Sequence, residues 1–489
     1  MDHFRYEGGT LRAEDVPVPA IAAAAGTPCY VYSAATLRDH FDRIADAFAP
    51  LDPLICFAIK SCANLSVVRL LVERGAGVDI VSGGELHRAR LAGADPARCV
   101  YAGVGKTDAE IEAALEAGVG WLNVESEQEL DVIASIAGRL GRPARAALRV
   151  NPDVDPRTHR YTTTGTRETK FGVDIERARR VFETRGGDPR CRLEGIHLHI
   201  GSPVYDVEAY ERALGKALEL VDELERDLGV RIRMLDLGGG FGADYETGRS
   251  PLAADYAARI VPMLEERVRA GLQVILEPGR TITANAGILV VRTVYTKTGG
   301  DKTFVIADGG MNVLMRPCHY GAFHFAWPVE VAAEHVPPAR REHLDLPGLR
   351  RCDLVGPICE SGDFLAEGRD LPPIARGDLV AVFGAGAYGM VMANHYNAVP
   401  LPAEVLVDGD RATLVRRRET LEDLVRPELE PAPLAVEPGT RPAALAVPAV
   451  VAGAGAGAGA GAARAATAAV VETRRPAADA VADPGEVQA

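Results

Sequence analysis

Between residues 54 and 276, short apolar runs of β-forming residues alternate with amphipathic helical stretches, and this beat restricts the fold more than any other feature. Strand candidates lie at 54–59, 78–81, 99–102, 121–124, 146–150, 193–198, 234–237 and 274–276. The helices between them have readable ends. Thr107-Asp108-Ala109-Glu110 and Ser126-Glu127-Gln128-Glu129 both match the capping box, in which a hydroxyl and a carboxylate reciprocally satisfy orphan N–H groups. Helices around 67–73 and 111–116 are predicted to stop at Gly75 and Gly118, since glycine readily takes the left-handed C′ conformation. Longer helical patterns cover Val207–Leu228 and 253–270. Alternating strands and helices imply a parallel sheet, and eight strand–helix units fit a TIM-type (β/α)8 barrel better than an open doubly wound sheet.

Past residue 288 the texture changes to short β runs at 289–295, 303–307, 353–355, 379–383 and 403–407, separated by Gly/Pro turns and without regular helices. The first 35 residues also hold a β run, 29–32, before any helix. The expected organisation is a barrel at 36–288, a mostly β domain at 289–427 joined by the N-terminal segment 1–35, and a tail at 428–489. The tail is mostly Ala, Pro, Gly and Val, with strict Gly/Ala alternation from Gly453 to Gly461, a composition that predicts disorder.

Lys and Arg number 54 against 68 Asp and Glu, a formal net charge of −14 with no long basic run, which argues against nucleic acid or an anionic membrane as partner. The opening residues Met1-Asp2-His3-Phe4-Arg5 lack the basic and apolar regions of a secretory signal. The uncharged stretch 442–463 is nearly all Ala and Gly with two prolines, a poor membrane span. Eight cysteines show no CxxC pair and no metal-ligand spacing, so reduced thiols, a cytoplasmic location and no metal site are expected.

In such a barrel, chemistry collects at the C-terminal strand ends. The residues just after the eight runs are Lys60, Ser82, Gly103, Glu125, Asn151, His199, Gly238 and Glu277. A lysine at the mouth can become nucleophilic when desolvation and neighbouring cations lower its pKa. Gly238-Gly239-Gly240-Phe241-Gly242 and Glu277-Pro278-Gly279-Arg280 follow strands seven and eight, whose loops frequently form a phosphate site. Lysine after strand one, beside phosphate loops after strands seven and eight, suggests pyridoxal phosphate. Two stretches, 238–243 and 384–389, also fit dinucleotide fingerprints. The first is followed by the loop-forming residues 244–251 and the second by about ten helix-compatible residues, so neither opens a βαβ unit.

The motifs Phe57-Ala58-Ile59-Lys60, His197-Leu198-His199-Ile200-Gly201-Ser202, Gly238–Gly242, Glu277–Arg280, Cys359-Glu360-Ser361-Gly362-Asp363 and Gly386-Ala387-Tyr388-Gly389 occur in this order. Together they resemble the diaminopimelate decarboxylases, group IV pyridoxal-phosphate decarboxylases of the alanine-racemase-like fold, over about residues 10–425. Asn151–Asp155 and the segment from Thr164 to Gly172 resemble the same family's loop after strand five. The resemblance implies decarboxylation of meso-2,6-diaminopimelate to L-lysine and CO2. Lys60 would hold the cofactor, Glu277 would face its ring nitrogen, and His199 would stack on the ring, while His197 is read as structural. Ser202, Gly239, Gly240 and the backbone of Pro278, Gly279 and Arg280 would hold the phosphate. Cys359 would be the proton donor, reaching the other subunit of a homodimer with shared sites, and Glu360 would meet the distal ammonium. Arg280, Arg316 and Tyr320 would hold the distal carboxylate, and Tyr388 would touch cofactor and substrate. Cys318-His319 stands where Ala-Leu is commoner in the family. The alternatives are a same-fold decarboxylase of ornithine, arginine or carboxynorspermidine, and a non-catalytic pyridoxal-phosphate-binding homologue.

Overall fold

The structure, a computed structural model, describes residues 2–155 and 170–432. Expectations for the tail beyond 432 and for residues 164–169 lie outside these. Eight parallel strands, β1 (Leu54–Ala58), β2 (Gly77–Ile80), β3 (Cys99–Tyr101), β4 (Trp121–Val124), β5 (Ala144–Asn151), β6 (Cys191–His197), β7 (Met234–Asp236) and β8 (Gln273–Leu276), close into a barrel. Leu276 of β8 pairs with Ile55 of β1, so no strand edge remains.

The strands alternate, with one bulge between Leu193 and Gly195 of β6. Outward residues such as Phe57, Val78, Ile80, Tyr101, Leu122 and Val124 pack under the surrounding helices. Inward, Cys56, Val100, Trp121, Ala147, Met234 and Ile275 form an apolar floor. Because side chains on one face recur every second residue, the next inward layer falls two positions further along each strand. That layer is polar: Asp79, Asn123, Arg149, His197, Asp236 and Glu277, all buried.

Helix ends follow the sequence signals with one shift. Thr107 and Glu110 form the full capping box of Asp108–Ala117, which ends at a left-handed Gly118. Ser126 accepts from the Glu129 N–H, but the Glu129 carboxylate turns back to the Glu125 N–H (2.8 Å) and to Lys106 (2.6 Å). A buried ammonium outcompetes the exposed cap amide for it. The eight strand–helix units also need revising. After β8 the chain makes only the single turn Arg280–Thr283. The eighth helix comes from before β1: Ala34–Ala47, capped by Ser33, packs against Leu65–Glu73 and Ala253–Arg269. A helix, Val18–Ala25, also precedes the β run at 29–32, contrary to the expected order.

The mostly β C-terminal domain is organised by Gly287–Gly299, whose aliphatic run Ile288-Leu289-Val290-Val291, three of its residues β-branched, is fully buried. It pairs antiparallel with Lys302–Ala307, Leu379–Val382 and Cys29–Ser33. Ala403–Asp408 lies parallel to Cys29–Ser33 on its other side. Leu379–Val382 is thus an antiparallel strand, and the residues after Gly389 form short 3-10 turns, so 384–389 opens no dinucleotide site. Its glycines serve packing: a Cβ on Gly386 would lie 2.0 Å from the Thr283 carbonyl oxygen. This approach brings Tyr388 to the barrel mouth, where its N–H donates to the Ser61 carbonyl at 2.8 Å. Among the described residues, no helix is long and apolar enough to cross a membrane.

Candidate active site

Lys60 follows β1 in a 3-10 turn, and its ammonium bonds directly to the fully buried Asp79. Carboxylates, rather than the expected cations, are the charged neighbours that dominate it. Burial opposes the charge on Lys60, but the carboxylates of Asp79 and Glu277 overcome it and raise the amine above its ordinary pKa. Nucleophilicity here rests on proton transfer to a neighbour, and Asp79, itself pushed upward by burial and by Glu277, is placed to receive that proton.

Glu277 stands at the centre of the polar layer. Asn123 Nδ2 donates to Glu277 Oε1 (3.1 Å) and to Asp236 Oδ2 (3.0 Å), and His197 Nε2 lies 3.4 Å from Glu277 Oε2. Burial disfavours charge on both carboxyls. His197 and Lys60 nevertheless hold Glu277 well below the usual carboxylate range, while burial and the Glu277 charge push Asp236 well above it. Of the two, Glu277 is the more readily ionised. His199 is half-buried above this layer; burial and the cations of Arg149 and Lys60 keep its imidazole neutral. Glu125, after β4, is absorbed structurally, accepting from Arg149 (2.8 Å) and from the Gly172 N–H (2.7 Å).

The glycine loop after β7 is a close-packed cradle. A Cβ on Gly239 would sit 2.2 Å from the Glu277 carbonyl oxygen, and one on Gly240 2.2 Å from that of Gly201. The carbonyls of Gly239 and Gly240 are bonded away to Tyr210 (2.5 Å) and the Val204 N–H (2.8 Å). Such a loop can turn bare N–H groups toward an anion. Across it, Ser202 Oγ accepts from Arg280 Nε at 2.9 Å. Pro278 accepts from the Ala58 N–H (3.1 Å), and a Cβ on Gly279 would touch Ala58 and Ser61, so the strand-eight loop lies directly against the Lys60 turn.

Beyond the cradle sit two buried guanidiniums. Arg280 lies over the Tyr388 ring (4.7 Å) and donates to the Tyr245 hydroxyl (2.9 Å). Arg316 lies over Tyr245 (4.9 Å), faces Tyr320 (6.0 Å) and donates to His324 Nε2 (3.2 Å). Cys359 and Glu360 lie on a separate loop. Both are exposed on the β domain, where the Cys359 N–H donates to Asn397 (2.9 Å). Their loop is anchored by Asp363, which accepts from Ile358 and Met311 N–H groups at 2.6 Å.

Inspection of strand ends alone misses Asp79, Asn123, Arg149 and Asp236, which lie inside the β runs. The available signal is a charged or amide residue two positions after an inward apolar one, as in Trp121-Leu122-Asn123 and Met234-Leu235-Asp236. Tyr245, in the loop at 244–251, and His324 carry no local signal.

The closed barrel with a lysine after β1 is of the pyridoxal-dependent decarboxylase class, for the pyridoxal-binding domain model of these decarboxylases matches residues 34–284. The chain is 46% identical to a diaminopimelate decarboxylase of Pseudomonas aeruginosa, covering 87% of this chain and 98% of that one. It is 44% identical to the enzyme of that name from Aquifex aeolicus, covering 88% and 98%. Among solved structures, diaminopimelate decarboxylase of Helicobacter pylori complexed with L-lysine superposes with a TM-score of 0.78 at 37% identity, covering 84% of this chain and 99% of that one. The chain belongs to the diaminopimelate decarboxylase family.

Proposed function

We propose that this protein decarboxylates meso-2,6-diaminopimelate to L-lysine and CO2, the last step of lysine biosynthesis, with pyridoxal 5'-phosphate as cofactor. The observation that carries the substrate is the pair Arg280 and Arg316. Both are buried, and among the described residues no carboxylate bridges either one. Burying two neighbouring guanidiniums without an acid is costly unless a ligand supplies the anion, and a carboxylate suits their planar forks. Ornithine and arginine have no carboxylate at that end.

The residues fit the cofactor. Lys60 would bind its aldehyde, the Gly239–Gly240 loop with Ser202 and the 278–280 backbone would cradle its phosphate, and ionised Glu277 suits a protonated ring nitrogen. Neutral His199 is suited to the ring face. When bound, the group supplies an electron sink for the pair left on Cα as CO2 departs. The remaining steps belong to the chain. Asp79 holds and receives the Lys60 proton, and Arg280, Arg316, Tyr320 and Tyr388 fix the far end of the substrate so that the Cα–carboxylate bond is presented to the site. The Cys359 thiol returns a proton to Cα, and Glu360 meets the distal ammonium.

Exposed Cys359 and Glu360, on a loop held rigid by Asp363, support a homodimer in which these two residues of one subunit complete the other subunit's site. A cytoplasmic enzyme accords with eight free cysteines. The deciding experiment is CO2 release from meso-diaminopimelate, ornithine, arginine and carboxynorspermidine by the holoenzyme, with Lys60→Ala as control. Turnover confined to diaminopimelate and lost in Lys60→Ala is expected; preference for any of the other three overturns the assignment.

A further inference from the structure

Tyr245 and His324 come from separate elements, yet they meet edge to face (ring centroids 5.4 Å apart, 78° between planes) beneath the two buried guanidiniums. His324 Nδ1 lies 2.9 Å from the Phe383 carbonyl oxygen, and Nε2 lies 3.2 Å from Arg316 Nε. A carbonyl only accepts and a guanidinium only donates, so the network assigns the proton to Nδ1 and leaves Nε2 as the acceptor that orients Arg316. Burial and the charges of Arg316, Arg280 and Arg369 oppose a second proton on this ring. Tyr245 holds the other guanidinium, its hydroxyl accepting from Arg280 Nη1 at 2.9 Å while Arg316 covers its ring face at 4.9 Å. Both residues are themselves held. Asn285 Nδ2 donates to the Asp244 carbonyl (2.8 Å), and a Cβ on Gly384 would come 3.0 Å from Tyr245 Cδ1, so glycine there gives the ring its place.

We propose that Tyr245 and His324 are positioning residues that aim Arg280 and Arg316 together, so that the enzyme selects amino acids carrying a second carboxylate. Neither touches the reacting carbon; they act through the guanidiniums. This rests on the reading of those arginines as the distal-carboxylate clamp.

The test is steady-state kinetics of cofactor-loaded Tyr245→Phe, His324→Phe, His324→Gln and Arg316→Leu enzymes with meso-diaminopimelate, together with competitive inhibition by L-lysine, which keeps the distal carboxylate, and by cadaverine, which lacks it. Tyr245→Phe and His324→Phe should raise KM for diaminopimelate about tenfold or more with kcat falling less than about threefold, and Ki for L-lysine should rise by a similar factor while Ki for cadaverine stays nearly constant. His324→Gln, which keeps a neutral acceptor, should recover part of that loss. If Arg316→Leu raises KM but Tyr245→Phe does not, the positioning role fails while the clamp stands. If Arg316→Leu leaves KM unchanged, the clamp itself fails. Equal rises in Ki for L-lysine and cadaverine would also overturn the proposal. Should His324→Phe not fold, Tyr245→Phe decides alone.

Discussion

A side chain's position along its strand decides its chemistry in this molecule. Asn123 and Asp236 follow the inward floor residues Trp121 and Met234 by two positions, and both end against Glu277 rather than solvent. Their types are costly in a dry interior unless each meets a partner, so a polar group inside an apolar strand signals a site. Cys359 is the opposite case, an exposed residue whose backbone N–H donates to Asn397. Cys359→Ala should retain bound cofactor, read from its visible absorbance, and lose about 10²-fold or more in kcat; full activity would remove its role. His324 has a pH consequence. Burial and the nearby arginines push it from 6.5 down to about 3, so below pH 6.5 the unfolded chain binds a proton that the folded chain refuses. Its contribution to stability is complete above 6.5 and falls as pH drops toward 3, by about 2 kcal/mol at pH 5. Urea midpoints at pH 7 and pH 5 should therefore lie closer together in His324→Gln than in the wild type.

Among elements, those joining barrel to β domain hold the Lys60 turn. Glu404, on the strand Ala403–Asp408, accepts from Tyr32 (2.7 Å) and from Asn64 Nδ2 (3.0 Å), and Asn64 caps the helix that follows Lys60. Tyr388 reaches the same turn from another strand end. Glu404→Ala would leave the Tyr32 hydroxyl and the Asn64 amide buried without their acceptor. It should lower stability by about 1–3 kcal/mol in a urea melt and weaken cofactor retention; an unchanged midpoint would show that this link carries no energy. Element types were legible because period-2 and period-3.6 patterns and caps are local. The origin of the eighth helix was not, because Ala34–Ala47 fills its place through packing against Ala253–Arg269, a contact remote in sequence.

For the whole molecule, the net charge of −14 coexists with a locally cationic pocket at Arg280 and Arg316. The proposed sharing of sites between subunits makes a direct prediction: mixing Lys60→Ala with Cys359→Ala protein should recover up to about a quarter of wild-type activity per site, since one site of each heterodimer then keeps both residues intact. No recovery in proven heterodimers would mean self-contained sites. Local patterning along the chain determined the barrel, its strands and the residues at their ends, because side-chain periodicity and the C-terminal face of a parallel barrel follow from backbone geometry alone. Tertiary structure decided which groups meet: that Lys60 faces Asp79 and is raised rather than lowered, that Tyr245 and His324 stand behind the arginines, and that Cys359 is exposed on a loop of the β domain. Those outcomes depend on burial and on contacts between residues far apart in sequence, and neither quantity exists until the chain has closed on itself.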